Sequence, residues 1–191
     1  MLEYSDLEQS DLDEIAGLYE LYLNSGTGVK GWLKEGLSSP GYCGVKCTNG
    51  GRIVGVISAR PGIDFTCRHE DIIRHISRQW SGYKLYTGDM MVVLPEYRGH
   101  GIARELTERL RKMLVGCGSQ GIVVEAWRRA RKHDMPAGGI LKYFGQQTIV
   151  GIFEDFYKDL GKYGMTCPDC GSSCRCGAKV IVIEMESGGG L

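Results

Sequence analysis

Between Tyr86 and Trp127 a proline-stopped apolar run, a turn with two glycines, an amphipathic stretch and a second apolar run follow one another. In "KLYTGDMMVVLP" the residues Met90 to Leu94 are apolar on both faces, the pattern of a central, buried strand. Pro95 can end that strand, because proline supplies no ladder donor. From Ile102 the apolar positions Leu106, Leu110, Met113, Leu114 and Cys117 recur at helical spacing, closed by Gly116 and Gly118. "GIVVEAW" then reads as a second buried strand. Strand, helix and strand in this order predict a right-handed crossover between parallel neighbours.

The flanking sequence places this unit in a mixed α/β sheet. "LEYSDL" reads as an opening strand. Asp11 stands three residues before Glu14, a capping-box spacing, and Leu12, Ile15, Leu18, Tyr19 and Tyr22 follow at helical intervals. A short second helix is expected around Trp32 and Leu37. "YCGVKCTNGGRIVGVISA" gives two strands about Asn49-Gly50-Gly51, a hairpin signal. "HEDIIRHISRQW" carries a one-sided stripe of Ile72, Ile73, Ile76 and Trp80. "PAGGILKYFG" is expected to be a short helix opened by proline, and "TIVGIFEDFY" and "AKVIVIEM" are the last two strands. The expected organisation is one domain, 1–186, with residues 187–191 as a flexible tail.

At 191 residues the chain can bury a core without covalent staples. Its 23 basic residues balance 23 acidic ones, so no global charge points to nucleic acid or a membrane surface. No apolar run approaches the roughly 20 residues needed to span a bilayer, and the N-terminus has no basic and apolar leader pattern. A cytoplasmic protein, monomer or homodimer, is expected.

In "LPEYRGHGIARELTERL" the turn before the helix carries Arg98, Gly99, His100 and Gly101, where a simple connection needs one glycine. A helix N-terminus leaves about four amides unpaired, with partial positive charge. Glycines without Cβ atoms let a tight turn add its own amides, forming a nest for an anion. Arg98, Arg104 and protonated His100 would add charge; a plain glycine-rich connection is the alternative.

The longer string "VVLPEYRGHGIA" resembles the acetyl-coenzyme A signature of the GNAT acyltransferase superfamily, Arg/Gln-x-x-Gly-x-Gly/Ala, here Arg98 to Ala103 with Gly101, Ile102 and Ala103 opening the helix. The order of elements fits that family from about Leu2 to Tyr157. The resemblance implies a GNAT-like mixed sheet flanked by helices. It implies acetyl-CoA as co-substrate, its pyrophosphate on the amides of Arg98 to Ala103 and its pantetheine arm along the backbone of Val92 and Val93. An N-acetyltransferase that acylates a primary amine directly is the function implied. The alternative is a catalytically weak coenzyme-binding scaffold that recruits a protein or nucleic-acid partner.

Such a transfer needs a neutral amine, whose reference pKa is about 10.4 for a lysine-like group, and a carboxylate to take its proton. Asp89 on the first buried strand and Glu125 on the second are the candidate bases. Many family members place a tyrosine acid where this chain has Leu141, and Tyr143, two residues on, would point to roughly the opposite side of a helix. Tyr157 is another candidate acid. The basic run Arg128 to Asp134 fits either a phosphate or an acidic substrate, or plain solvent. The roughly 20 residues between "ISARPG" and "KLY", including the Ile72–Trp80 helix, are expected to cap the acceptor site together with the segment around Trp32.

Eight cysteines in a reducing compartment do not suggest a disulfide framework. Four of them, Cys167, Cys170, Cys174 and Cys176, fall in "CPDCGSSCRCG", a Cys-x2-Cys followed by Cys-x-Cys. Four thiolates so spaced can close a tetrahedral structural zinc site, with iron or free thiols as alternatives. The expected placement is an insertion, 161–179, between the last two strands.

Overall fold

The structure is a computed structural model that describes residues 1–185; the expected tail at 187–191 lies outside them. Seven strands form one sheet: β1 (Leu2–Asp6), β2 (Cys43–Asn49), β3 (Arg52–Pro61), β4 (Leu85–Val93), β5 (Gly121–Arg128), β6 (Gln146–Phe153) and β7 (Gly177–Glu184). Their spatial order is β1-β2-β3-β4-β5-β7-β6. Every neighbouring pair is antiparallel except β4 and β5, which are parallel, as the crossover predicts. Helices α1 (Leu12–Tyr22), α2 (Gly28–Ser38), α3 (Glu70–Gln79) and α4 (Ile102–Gly116) complete the mixed α/β fold.

Local chemistry explains the elements. The β2–β3 hairpin turns on Gly50 and Gly51, both at positive φ, which a two-residue hairpin loop of this twist requires. Helix α4 buries Ile102, Leu106, Leu110 and Leu114, the stripe legible in its sequence. A Cβ on Gly55 of β3 would lie 2.9 Å from Ile102 and 3.2 Å from Leu106, so this glycine sets how closely α4 approaches the sheet. Arg60, five residues along β3, points to the other face, where its guanidinium lies over the Trp32 ring of α2. Helices α2 and α4 thus cover opposite faces.

Two expectations are corrected. The segment 136–145 is not a helix: it runs as successive i→i+3 turns, with a 3-10 turn only at Leu141–Tyr143. Adjacent Gly138 and Gly139, each about 1 kcal/mol poorer than alanine in a helix, account for this. Of the segment expected to cap the acceptor site, Thr66 lines the cleft between β4 and β5 and helix α3 does not. It docks toward the far strands, with His69 Nε2 donating to the Phe156 carbonyl and Trp80 Nε1 donating to Glu184.

Two departures from regular pairing shape the centre of the sheet. The β3–β4 register jumps from Ser58↔Met90 to Ala59↔Gly88, leaving Asp89 as the extra residue of a bulge. Between β4 and β5 the ladder covers only Leu85↔Gly121, Tyr86↔Ile122 and Thr87↔Val123. Beyond Thr87 the two strands part while β5 stays paired to β7 along its whole length. The result is a fork between parallel strands.

Leu106 is fully buried between α4 and β3. Leu106→Ala should cost about 2–5 kcal/mol of stability, read as a lower urea midpoint with an unchanged denaturant slope.

Candidate active site

The fork opens a cleft of ≈ 990 Å³, a size typical of small-molecule sites. Gly88 to Val93 form one wall and Val124 to Trp127 the other. Because β4 and β5 are parallel, both rims are strand C-termini. One continues into the glycine turn and α4; the other continues into the basic run and abuts β7, whose Gly177 pairs with Arg128.

At the first rim Gly99 and Gly101 have φ of 80° and 79°, values that side chains resist, and a Cβ on either would meet nothing within 4 Å. The turn is therefore open to solvent on the side where an anion would approach. Among the described residues no hydrogen bond takes up the amides of Gly99, His100, Gly101, Ile102, Ala103 or Arg104; the first amide of α4 with a carbonyl partner is that of Glu105. The two glycines thus expose an array of donors at a helix N-terminus. Arg98 and Ala103 line the cleft, with Arg98 Nε held by the Val93 carbonyl at 2.9 Å. Arg104 points elsewhere, paired with Glu108 at 2.8 Å and lying over Tyr143.

The two candidate bases have opposite surroundings. Asp89, at the bulge, is almost wholly buried and saturated with donors. Its Oδ1 accepts from Trp32 Nε1 at 2.9 Å, Arg60 Nε at 3.1 Å and Arg60 Nη2 at 2.7 Å, and its Oδ2 accepts from Tyr42 Oη at 2.6 Å. This network ties α2, β3 and the entry to β2 onto the bulge. Lone pairs so occupied are poorly placed to take a proton from a substrate.

Glu125, on the facing strand, accepts from Thr66 Oγ1 at 2.8 Å through Oε1. Its Oε2 is sealed from solvent with no hydrogen-bond partner among the described residues. Desolvation pushes its carboxyl up to about 7, more than the Thr66 hydrogen bonds pull it down, and the charges of Asp89 and Asp64 add to the rise. A buried carboxyl with an unsatisfied oxygen on a cleft wall is a costly arrangement, the kind found where proton transfer is needed.

Leu141 is buried on the cleft, and Tyr143 lies outside it against Arg104. Two other phenols line the cleft: Tyr19 of α1 and Tyr157. Burial raises both well above the ordinary tyrosine value, and Tyr157 Oη lies 3.4 Å from the Glu125 carbonyl.

The model of the acetyltransferase (GNAT) family matches residues 6–135, two thirds of the chain. The chain belongs to this family. It is an acyltransferase, and the fork between β4 and β5 stands beside its family signature. Solved GNAT structures share the fold. The ribosomal-protein-S18-alanine N-acetyltransferase of Escherichia coli has 17% identity and a TM-score of 0.65, with 99% of this chain and 97% of that one covered. Arabidopsis thaliana NAA60, solved with acetyl-CoA, has 13% identity and a TM-score of 0.68 over 96% and 98%. The polyamine N-acetyltransferase of Drosophila melanogaster has 12% identity and a TM-score of 0.64 over 97% and 100%. No curated protein matches the sequence significantly.

At the second rim lies the connection from β6 to β7, residues 154–176, which carries the cysteine cluster; the expected insertion, 161–179, differs from it at both ends. The Sγ atoms of Cys167, Cys170, Cys174 and Cys176 all lie within 4.8 Å of one another. Cys176 Sγ is 3.8 Å from Cys167 Sγ and 3.5 Å from Cys170 Sγ. These separations are far beyond the 2.05 Å of a disulfide. They match the edge of about 3.8 Å that four ligands at 2.3 Å make in a tetrahedron. Gly171, at φ 78°, donates its amide to the Cys167 carbonyl and closes the first knuckle. The amides of Cys176 and Ala130 point at Cys174 Sγ and Cys176 Sγ, each at 3.4 Å, as donors to thiolates would. The donor set and its spacing fit a closed, four-sulfur metal site.

Sequence reasoning did not reach Thr66, Arg60 or Tyr42. One signal was present: Arg60 ends the apolar run "IVGVISA", and a charge carried into a core demands a buried partner.

Asp89→Ala removes both short hydrogen bonds of Arg60, whose side chain is 7% exposed, and leaves it only the 3.4 Å contact with Asp64. The variant should lose about 3–5 kcal/mol of stability, seen by urea unfolding. A carboxylate that served only as a solvent-facing base would leave the urea midpoint near the parent's.

Proposed function

We propose that this GNAT protein moves an acetyl group from acetyl-CoA directly to a primary amine, with Glu125 as general base and Asp89 as the residue that holds the β4 bulge. The observation that carries this reading is the desolvated carboxyl of Glu125, a residue that lines the fork and whose Oε2 has no hydrogen-bond partner among the described residues. In this reading the amides from Gly99 to Ala103 receive the pyrophosphate, with Arg98 beside them. The edge of β4 turned away from β3, at Val92 and Val93, lies along the pantetheine arm as a neighbouring strand would, with the Val93 carbonyl also holding Arg98 Nε. Arg104 supplies long-range positive charge only, being occupied by Glu108.

Chemically, the neutral amine adds to the thioester carbonyl carbon, and its N–H proton passes to Glu125. Free amides on the β4 edge stabilise the oxyanion. Collapse of the tetrahedral centre breaks the C–S bond, giving the amide and the coenzyme thiolate. A thiol of reference pKa about 8.5 leaves without a dedicated acid, which accounts for a leucine at position 141. Direct transfer is favoured because no cysteine lines the cleft among the described residues.

We further assign the four-cysteine cluster to a structural zinc ion. Its thiolates would be held by Cys167, Cys170, Cys174 and Cys176 and stabilised by the Ala130 and Cys176 amides. A closed site of this kind supplies folding energy to a loop and takes no part in acyl chemistry. The acceptor classes named by the structural neighbours, an N-terminal alanine and a polyamine-type amine such as agmatine, are the first two to test.

A thiol-release assay over an alanine-starting peptide, a lysine peptide and agmatine tests the reaction. Glu125→Gln should lower kcat/KM about 10²–10⁴-fold. The parent's kcat/KM, expressed per neutral amine, should fall with acid below about pH 7, where Glu125 becomes protonated, and the variant should lose that limb. Coenzyme binding with no amine-dependent thiol release would support the scaffold reading instead.

The same carboxyl sets a stability trend. Its folded value of about 7 lies above the ordinary 4.5, so the stabilisation it gives at low pH is lost as pH rises through 7. Glu125→Gln, neutral throughout, should therefore melt higher than the parent at pH 8 and close to it at pH 5.

A further inference from the structure

The α1–α2 connection crosses the mouth of the fork. At one rim Tyr22 lies 6.0 Å from the Arg98 guanidinium, beside the glycine turn. At the other, Ser25 and Thr166 exchange both backbone hydrogen bonds, at 3.0 and 2.7 Å, and Gly28 donates to the Gly164 carbonyl at 3.2 Å. Between these anchors Leu23 and Asn24 line the cleft. The approach is close enough to need glycine: a Cβ on Gly26 would lie 2.3 Å from the Gly164 oxygen, and one on Gly28 would lie 2.1 Å from the Tyr163 oxygen.

Thr166 is the residue before Cys167. The cluster also grips the second rim directly. Ala130 donates to Cys176 Sγ, and Arg131 donates its amide to Asp169 Oδ2 at 2.9 Å. Tyr157 donates its amide to the Cys176 carbonyl at 3.3 Å while its side chain sits beside Glu125. Pro168 and Asp169, inside the first knuckle, line the cleft themselves. Three segments of the cleft wall, 22–28, 129–132 and 157, thus converge on one set of four sulfurs. The basic run is drawn in by its backbone. Two of its charges are compensated locally, Arg129 by Asp134 and Arg128 by Glu154, while Arg131 and Lys132 line the cleft.

We propose that the metal centre fixes the acceptor mouth: with metal bound, the 22–28 strap and the 129–132 rim are locked together, and without it they separate while the coenzyme side of the fork stays intact. The proposal rests on the zinc and acetyl-transfer readings above. Its physical basis is linkage. A metal that binds only the ordered loop makes that order persist, and the strap's backbone bonds beyond its own helices, at Ser25 and Gly28, go to that loop. Among the described residues the glycine turn, α4 and β4 make no hydrogen bond to the four cysteines and should not respond.

The test compares full-length protein loaded with zinc, the same protein stripped by chelator, and Gly28→Ala, which pushes Tyr163 away without touching a metal ligand. Metal content by elemental analysis comes first. Hydrogen exchange is then followed by mass spectrometry, acetyl-CoA binding by calorimetry, and KM for agmatine and for an alanine-starting peptide by thiol release. Stripping should speed exchange in 22–28 and 128–134 but not in α4 or β4, and should leave acetyl-CoA affinity unchanged. KM for whichever acceptor is used should rise about 10-fold or more. Gly28→Ala should retain zinc and show the same exchange pattern in 22–28. Unchanged exchange in the strap after stripping overturns the proposal, as does uniform loss of protection through α4 and β4. Protein expressed with ample zinc but carrying no stoichiometric metal overturns the metal reading and this proposal while leaving the acyltransfer reading standing. If neither amine is accepted, exchange alone decides the proposal, so the two failures remain separate.

Discussion

Everything at the candidate site depends on the parting of β4 from β5. A parallel pair normally buries its full length as one ladder, and here the ladder stops at Thr87↔Val123. The bulge at Asp89 bends β4 where the strands diverge. What holds the bulge is a single buried carboxylate with four donated hydrogen bonds, two from Arg60 and one each from Trp32 and Tyr42. An unpaired charge in that position would be strongly unfavourable, so the network fixes one geometry for β4 instead of a range. Arg60 over the face of Trp32 adds a cation–π contact at 3.5 Å.

The fork then treats two carboxylates in opposite ways. On one wall Asp89 has both oxygens engaged, by four hydrogen bonds, and carries structure. On the other, Glu125 has one oxygen engaged and one without a hydrogen-bond partner among the described residues. The same burial that would destabilise an ordinary protein raises the Glu125 carboxyl to about 7, near the optimum for a base at neutral pH. Stability gained at the bulge and stability given up at Glu125 are complementary features of one cleft. The insertion between β3 and β4 contributes to the second by supplying Thr66.

The cysteine loop belongs to the same architecture. It joins β6 to β7, yet its bonded contacts reach back to Ser25 and Gly28 and across to Ala130 and Arg131. These segments are distant in sequence and adjacent only because β7 lies between β5 and β6. Gly26, Gly28 and Gly164 permit backbone-to-backbone contact that any side chain would prevent.

The sequence by itself determined the elements and their order. Apolar runs of strand length, the Ile102–Leu114 stripe, the Gly50-Gly51 turn and the Arg98–Ala103 string are local patterns, and local sterics and burial suffice to read them. The family follows from the same string in its strand–helix setting. The four cysteines were legible as a set because their ligand chemistry is carried by spacing alone. Local reading failed at 136–145, where the pattern of proline and apolar residues suggested a helix and the Gly138-Gly139 pair prevented one. It failed again at α3, since an amphipathic stripe says that a face is buried but not against what. Only the tertiary structure distinguished Asp89 from Glu125. Both are acidic residues on neighbouring strands, and what separates them is the set of donors that Arg60, Trp32, Tyr42 and Thr66 bring from 29 to 59 positions away. A carboxylate's role is set by its solvation and its partners, and those are properties of the packed fold.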